Sequence, residues 1–596
     1  MGLMPNPKLR RTFLASAFVA LAGIGTGCGP APEPGGNSAR PKVGTASVAR
    51  ADWFENITGR TGVRFLHQAG TNFFMPDQVG SGIVVFDYDR DGRLDLYFVQ
   101  NAATHAPAGN ALFHQEAGGG FRDVSVGSGA DLRGPGMGAI AGDLNNDGLP
   151  DLVVTEYGAT RLLLNRGGGH FEAQPRSSGV DNPRWAAPAS FLDYDRDGWL
   201  DLVVGNYVDY DPTQVCHDVQ GRRDFCAPAA FAPTVTRLWR NVTGTPGAAP
   251  RFEEVTERSG LTKSPGVALG LVCADFDGDG WPDIFCADDG RPNRLFVNRR
   301  DGTFGEEAVA RGLALDAMGR TAANMGVAFA DVDRDGLGDL FVTHLTEEFH
   351  SLFRQDRRGL FVDAVAQAGL QNQGWRGTGF GTVIADFDLD GHPDLGFVNG
   401  MVRRFLPAQS PVLEGVSPWW AAYAQRAQLF AGEGGGKFRE VTAANPAFCG
   451  QSMVGRSLAV ADLDEDGAPD LIVGNTGGPV QIYRNVAARR GHWLALRLID
   501  PAAGGRDAIG AEAVVVGARG GAVLPTSVSA SRWWAVLQPS TSYLVSNEPR
   551  LRFGLGDVSA VDAIEVRWPD GSKEEFPGGA VDRLLELSKG SGKRLP

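Results

Sequence analysis

DFDGDGWPD, residues 275–283, sets aspartates at its first, third, fifth and ninth positions around a glycine at the sixth. Alternate side chains of a tight loop converge on one side, and the glycine permits the sharp turn an oxygen cage needs, so the spacing suits a hard cation. Aspartate and glycine also favour turns with no ion present. Recurrence along the chain decides between these readings.

The pattern occurs seven times. Its members are Asp87, Asp89, Asp91 and Asp95 in DYDRDGRLD, and Asp143, Asn145, Asp147 and Asp151 in DLNNDGLPD. DYDRDGWLD supplies Asp193, Asp195, Asp197 and Asp201, and the stretch quoted first supplies Asp275, Asp277, Asp279 and Asp283. Asp331, Asp333, Asp335 and Asp339 follow in DVDRDGLGD, then Asp386, Asp388, Asp390 and Asp394 in DFDLDGHPD. The last copy, DLDEDGAPD, holds Asp462, Asp464, Asp466 and Asp470. Asn145 alone departs from aspartate, and it still offers a carbonyl oxygen. The third and sixth intervals are longer than the rest; they contain Cys216 and Cys226, and residues 400–425, both read as loop insertions.

The flanks repeat as well. A short apolar run such as GIVVF precedes each nonapeptide and another, such as DLYFV, follows it. A third run carries an LF or LW pair (NALFHQ, TRLWRN, NRLFVN), and a fourth begins Gly-x-Phe or a close variant (GFRDVS, RFEEVT). Four short strands per unit, seven times over, is the plan of an all-β, seven-bladed propeller in which the acidic nonapeptide joins the first two strands of each blade. The seventh unit lacks its fourth strand after VQIYRN (480–485), while WFENITGRTGV (53–63) aligns with RFEEVTERSGL (251–261). Residues 53–58 are therefore expected to complete the last blade and close the ring, removing an open edge. The propeller is expected over 51–487 and a second, β-rich domain over 488–596.

The first, third and fifth side chains, the seventh carbonyl and the ninth aspartate give a Ca²⁺ donor set that water would complete. An EF-hand would instead place its last acidic ligand at position 12 between helices. Up to seven structural Ca²⁺ ions are expected, each pinning a hairpin, since so many clustered carboxylates would otherwise repel one another. Mg²⁺ demands a stricter octahedron.

Formal net charge is −14, and no basic patch of the kind nucleic-acid binding needs is evident. Lys8, Arg10 and Arg11 precede an apolar run from Phe13 to Ile24, and RRTFL resembles the core of a twin-arginine export signal. Cys28 follows small residues as at a lipoprotein cleavage site, although Gly25 stands where that pattern prefers leucine. Residues 1–27 are read as an export signal and 28–50 as a flexible tether, which places the chain in the periplasm, on the outer membrane or outside the cell. In an oxidising compartment Cys216 and Cys226 are candidates for a loop-stapling disulfide. Cys273 and Cys286 are cross-strand neighbours or two buried thiols, and Cys449 has no evident mate.

The seven units resemble the FG-GAP or VCBS repeats of integrin α-type propellers, whose loops bind Ca²⁺ through DxDxDGxxD. SYLVSNEPRLRFGLGD (542–557) and VDAIEVRWPDGSKEEF (561–576) resemble the ASPIC/UnbV domain. Repeats followed by that domain are similar to the cartilage acidic protein-like family. A rigid disc with variable loops suits recognition, so a non-enzymatic binding or adhesion module is expected, monomeric, with a protein or glycan ligand and a membrane link only through a lipid anchor. The alternative is a glycan- or lipid-acting hydrolase, or a subunit of one, that uses the propeller as a platform. His344, Glu347, Glu348 and His350 are read as an ordinary polar loop rather than a metal site, and His67 as structural. Trp419-Trp420 and Trp533-Trp534 are read as packing residues rather than sugar platforms. No GxSxG or phosphate-cradling loop occurs.

Overall fold

The computed structural model describes residues 52–101, 108–371, 374–404, 413–488, 490–517 and 531–596. The export signal, Cys28 and the tether lie outside these residues.

The architecture is all-β. The α-helices among the described residues are single turns, Thr58–Thr61, Ala308–Arg311 and Pro446–Cys449. Seven four-stranded antiparallel sheets each contain one acidic nonapeptide, and an extra short strand joins two of them. The first consists of Ile83–Phe86, Asp95–Phe98, Ala111–Gln115 and Phe121–Asp123. The innermost strand of every sheet lies beside that of the next, and the seventh returns to the first. Inner strands such as IVVF are buried on both faces, so they read as continuous apolar runs rather than alternating ones. Adjacent sheets pack through mixed layers; Val84, Phe86 and Tyr97 of the first meet Ala139, Leu152 and Val154 of the second.

Ring closure takes the expected form. Phe54–Asn56 pairs antiparallel with Gln481–Asn485, Phe54 opposite Asn485. The third strand ends in an amide in most sheets, and that amide ties neighbouring sheets together. Asn165 donates from Nδ2 to the carbonyl of Tyr88 in the preceding loop, Asn241 to that of Leu144, Asn298 to that of Tyr194 and Asn485 to that of Phe387. Gln115 performs the same task between the first and seventh sheets.

The C-terminal domain is two packed sheets around Leu494, Val515, Trp533, Phe553, Ile564 and Trp568. The WPDG stretch turns the hairpin between Ala560–Arg567 and Lys573–Ala580, with Trp568 buried and its indole N–H donating to Glu574. This domain is not a separate appendage. Its segment from Gln538 to Asn547 enters the axis of the ring and meets the inner strand of all seven sheets. Val545–Ser546 adds to Ile83–Val84 as a parallel strand, and Ser546 accepts at Oγ from Ala141 N. Gln538 donates to the carbonyls of Phe191 and Cys273. Ser542 exchanges backbone hydrogen bonds with Val327, accepts at Oγ from Thr382 N and donates to the Leu458 carbonyl. Ser542 and Leu544 take left-handed φ values of 77° and 56°, which aim the fully buried Tyr543 between them against Phe380. Sequence reading divided the chain at 487 and did not foresee that residues 538–547 fill the propeller's channel.

Candidate metal loops and the domain that covers them

The ninth aspartate of each nonapeptide opens the second strand of its sheet, at Asp95, Asp151, Asp201, Asp283, Asp339, Asp394 and Asp470. A fixed hydrogen-bond pattern shapes the loop. The first aspartate accepts backbone N–H groups from positions five and six, as Asp87 does from Asp91 and Gly92. The fifth accepts from position seven, as Asp279 does from Trp281 at 2.8 Å. The ninth accepts from position two and from the third strand, as Asp283 does from Phe276 at 3.1 Å and Asn298 at 2.8 Å. Position four lies in the left-handed region in every copy, at Arg90, Asn146, Arg196, Gly278, Arg334, Leu389 and Glu465.

The third position tests the fit to a cation. Asp89, Asp195, Asp333 and Asp388 each hold a buried Oδ1 with no hydrogen-bond partner. A buried acceptor left unpaired is costly, and an ion at that point would satisfy it. Several loops bring three ligand atoms within 4.8 Å of one another, among them Asp193, Asp195 and Asp197, and Asp275, Asp277 and Asp279. The first and ninth carboxylates keep lone pairs beyond those that accept backbone N–H groups. Burial, more than any neighbour, pushes them upward: Asp143 to about 6, Asp193 to about 7, and Asp95, Asp339 and Asp386 to about 8. Asp151, Asp201, Asp283, Asp394 and Asp470 go well above the ordinary range for the same reason.

The loops are less alike than their sequences. Resident cations already offset part of the charge, which reading carboxylates alone did not anticipate. Arg240 pairs with Asp195 at 2.5 Å and Asp197 at 2.8 Å, Arg354 with Asp333, and Arg484 with Asp464 at 3.3 Å. His114 stands at the same third-strand position in the first sheet, its Nδ1 3.2 Å from Asp95. The corresponding residues of the second, fourth and sixth sheets are Leu164, Val297 and Ala431. Arg300, Arg311 and Arg567 serve the fourth loop instead, through Asp279, Asp277 and Asp275. Among the described residues no ion pair reaches Asp386, Asp388 or Asp390. The signal for these cations was legible in the quoted third-strand runs, as the Arg or His before the terminal amide.

The C-terminal domain covers the loop face. Arg90 pairs with Asp507 at 3.0 Å, Arg506 donates to Asn146, and Arg334 lies over the Trp533 ring. Gly556 N donates to the Leu389 carbonyl at 3.1 Å, and Arg552 reaches Asp462 at 2.9 Å. The FGLG stretch is glycine-rich for a steric reason: a Cβ on Gly554 would overlap the Asp386 carboxylate.

The remaining candidates resolve differently. Cys216 and Cys226 form a disulfide, Cα atoms 5.1 Å apart, while Cys273, Cys286 and Cys449 are buried free thiols. Cys273 faces Ile284 and Cys286 faces Leu271, so the two are not direct partners. His344 and His350 are buried, and burial lowers each to about 3. His67 is likewise buried and neutral, stacked edge-on against Phe65. Trp420 and Trp533 are packing residues, Trp419 leans on Phe73 and Phe225, and Trp534 stays half-buried at the wall of a cleft.

Comparison with known proteins agrees with this organisation. The ASPIC and UnbV family matches residues 502–594, the FG-GAP-like repeat matches 87–154, 143–204 and 275–342, and the FG-GAP repeat matches 454–487. Cartilage acidic protein 1 of Xenopus tropicalis is 29% identical over 348 residues, 56% of this chain and 47% of that protein. The Homo sapiens protein of the same name is 27% identical over 359 residues, 56% of this chain and 46% of that protein. The chain thus spans about half the length of these relatives. A solved Agrocybe aegerita lectin that recognises non-reducing terminal N-acetylglucosamine is 15% identical, with a TM-score of 0.36 over 68% of this chain and 90% of the lectin.

Proposed function

For a chain of FG-GAP repeats joined to an ASPIC and UnbV domain, a distant homologue of cartilage acidic protein 1, we propose the role of an exported, calcium-stabilised binding module. The observation that carries the calcium part is the set of four buried, unpartnered Oδ1 atoms at the third loop position, at Asp89, Asp195, Asp333 and Asp388. Calcium would be held by the first, third, fifth and ninth side chains of each loop. When bound it supplies positive charge to a carboxylate cluster whose ninth aspartate burial pushes upward in every loop. The loops lie between the rigid ring and the C-terminal domain, so the ion acts on the fold, and with it on the presentation of the surface, rather than on a reaction.

The binding part rests on architecture and repeat type. Glu512 and Glu565 line a cleft beside the fourth and fifth loops, and both are ion-paired, with Arg567 and Arg532. That arrangement favours a binding surface over a free acid and base. Export, to the periplasm or beyond, is supported by the twin-arginine-like leader and by the Cys216–Cys226 disulfide.

Calcium titration of the full chain by calorimetry, with melting curves in calcium and in excess EDTA, tests the reading. Several binding events and a melting temperature raised by calcium are expected. Identical melting curves in the two buffers would sink it.

A further inference from the structure

The cleft between the propeller rim and the C-terminal domain has a volume of about 1230 Å³ and lies beside the fourth and fifth loops. We propose that it binds an acidic oligosaccharide, one bearing carboxylate or sulfate groups. This deepens the binding-module reading and rests on it, by naming the ligand class.

Charge carries the first part of the argument. The chain as a whole is acidic, yet Arg196, Arg334, Arg358, Arg532, Arg567 and Lys573 all line this one cleft. Arg532 and Arg567 are committed to Glu565 and Glu512. Arg196, Arg334 and Arg358 have no carboxylate within ion-pair distance among the described residues. Arg196 donates to the Gly280 carbonyl and lies 4.2 Å over the Trp281 ring, leaving its buried Nε without a partner. Arg358 is exposed, and its side chain makes no hydrogen bond or ion pair among the described residues. Arg334 is steadied by the Gly391 carbonyl and the Trp533 ring. Guanidinium groups match carboxylate and sulfate oxygens in pairs, and three lining one cleft outside any ion pair offer such a ligand its charge partners.

The fourth loop is built to admit them. Its glycines at positions four and six, Gly278 and Gly280, leave the space that Arg358 and Arg196 fill; a Cβ on Gly280 would come within 2.8 Å of Arg196 Nη2. Other copies carry a side chain at position four. Asp279 and Asp333 in the same cleft are already paired, with Arg300 and Arg354, which leaves Asp335, close enough to Arg358 to feel its charge, as the one loop carboxylate of the lining outside an ion pair among the described residues.

Shape and a flat wall select the ligand class. The volume exceeds what a single small anion fills. Trp534 stands half-buried at the wall, its indole N–H held by Glu512 at 3.1 Å, which fixes the ring as a stacking face.

Calorimetry of the full chain in calcium would use three oligomers of equal length: a polygalacturonate, a sulfated dextran and a neutral dextran. At least one acidic oligomer should bind, with affinity that falls as salt rises, and the neutral one should not. The first two arms separate carboxylate from sulfate recognition. Arg358→Glu, at an exposed position, should leave the melting temperature unchanged and weaken binding at least tenfold. Trp534→Phe, which keeps a ring at the wall, should retain most of the affinity, and Trp534→Ala should lose it. Equal binding of the neutral oligomer, no binding of either acidic oligomer, or unchanged affinity in Arg358→Glu would each overturn the proposal. Melting in EDTA is read separately, so a failed cleft and a failed calcium account give different results.

Discussion

Gln115 in the first sheet donates from Nε2 to the backbone carbonyl of Leu463 in the seventh, at 2.7 Å across 348 residues of sequence. The same bond, made by Asn165, Asn241, Asn298 and Asn485 elsewhere, couples five of the seven third strands to the preceding acidic loop. Loop conformation and sheet-to-sheet spacing are therefore one property of the ring, and anything that orders a loop also fastens two blades.

Asn241→Leu should be strongly destabilising. Asn241 is 1% exposed and its Nδ2 serves both Leu144 and Leu200, while Oδ1 accepts from Thr243. Each stranded buried partner costs about 1–3 kcal/mol, so a total of about 3 kcal/mol is expected. Denaturant unfolding in calcium, with the variant against the parent, measures it.

Asp388→Ala should remove one calcium from the stoichiometry and lower the melting temperature in calcium. In EDTA the same variant should be no less stable than the parent, because the sixth loop has no ion-paired cation among the described residues to lose and sheds a repulsive charge. Calorimetric stoichiometry beside paired melting curves reads both halves. A variant that loses stability equally in both buffers would show that Asp388 acts through packing alone.

Stability should depend on pH with opposite sign in the two buffers. Without metal, Asp95, Asp339 and Asp386 are raised to about 8 by burial, so the folded chain holds protons that the unfolded chain has released above pH about 4. By linkage, metal-free stability falls as pH rises from about 4 to about 8. Bound calcium removes that dependence. What remains is the contribution of His67, His344 and His350, lowered by burial to about 3. Their stabilisation is complete above pH about 6.5 and is lost as pH falls from there toward 3. Melting temperatures across pH 4–8 in each buffer test the crossing of the two trends.

Tyr543→Ala should cost about 3–5 kcal/mol, the usual range for emptying a buried aromatic site. Tyr543 is fully buried at the tip of the segment in the channel, with its hydroxyl on the Val79 carbonyl at 3.3 Å. Because that segment touches all seven inner strands, ring and C-terminal domain should melt together in the parent. Calorimetric scans should show a single transition in the parent. Two well-separated transitions in the parent would contradict the coupling.

The periodic features were readable from sequence because each is set by local chemistry. The spacing in DFDGDGWPD places Asp283 at the start of a strand, and the Gly-x-Phe deficit after residue 485 points to the strand at Phe54. Cys216 and Cys226 are close enough in sequence for one pairing to stand out. Arg240, Arg354 and Arg484 were visible as residues but not as loop partners, because their reach crosses from a third strand to a first hairpin. Ser542 and Tyr543 were harder still. Their partners, Val327, Thr382, Leu458 and Val79, come from separate blades, and no local period marks a segment whose environment is the whole ring. The free guanidiniums were equally hidden, since only the placement of Arg196 beside Gly280 and Gly571 brings two domains' charges into one cleft.

Closure by Phe54–Asn56 also sets an order of events. Thr58 and Ile482 share a hydrogen bond across 424 residues, so Phe54–Asn56, first of the described strands, must wait for the seventh blade before it finds its place in a sheet. The entropy of so wide a loop grows only logarithmically with its length, which makes the closed ring affordable at equilibrium but late in time. Until then Gln481–Asn485 presents a bare edge that any equivalent strand could take. A second chain's Phe54–Asn56 is such a strand, so the latch that completes the monomer is also the element through which two chains would exchange partners when folding is crowded.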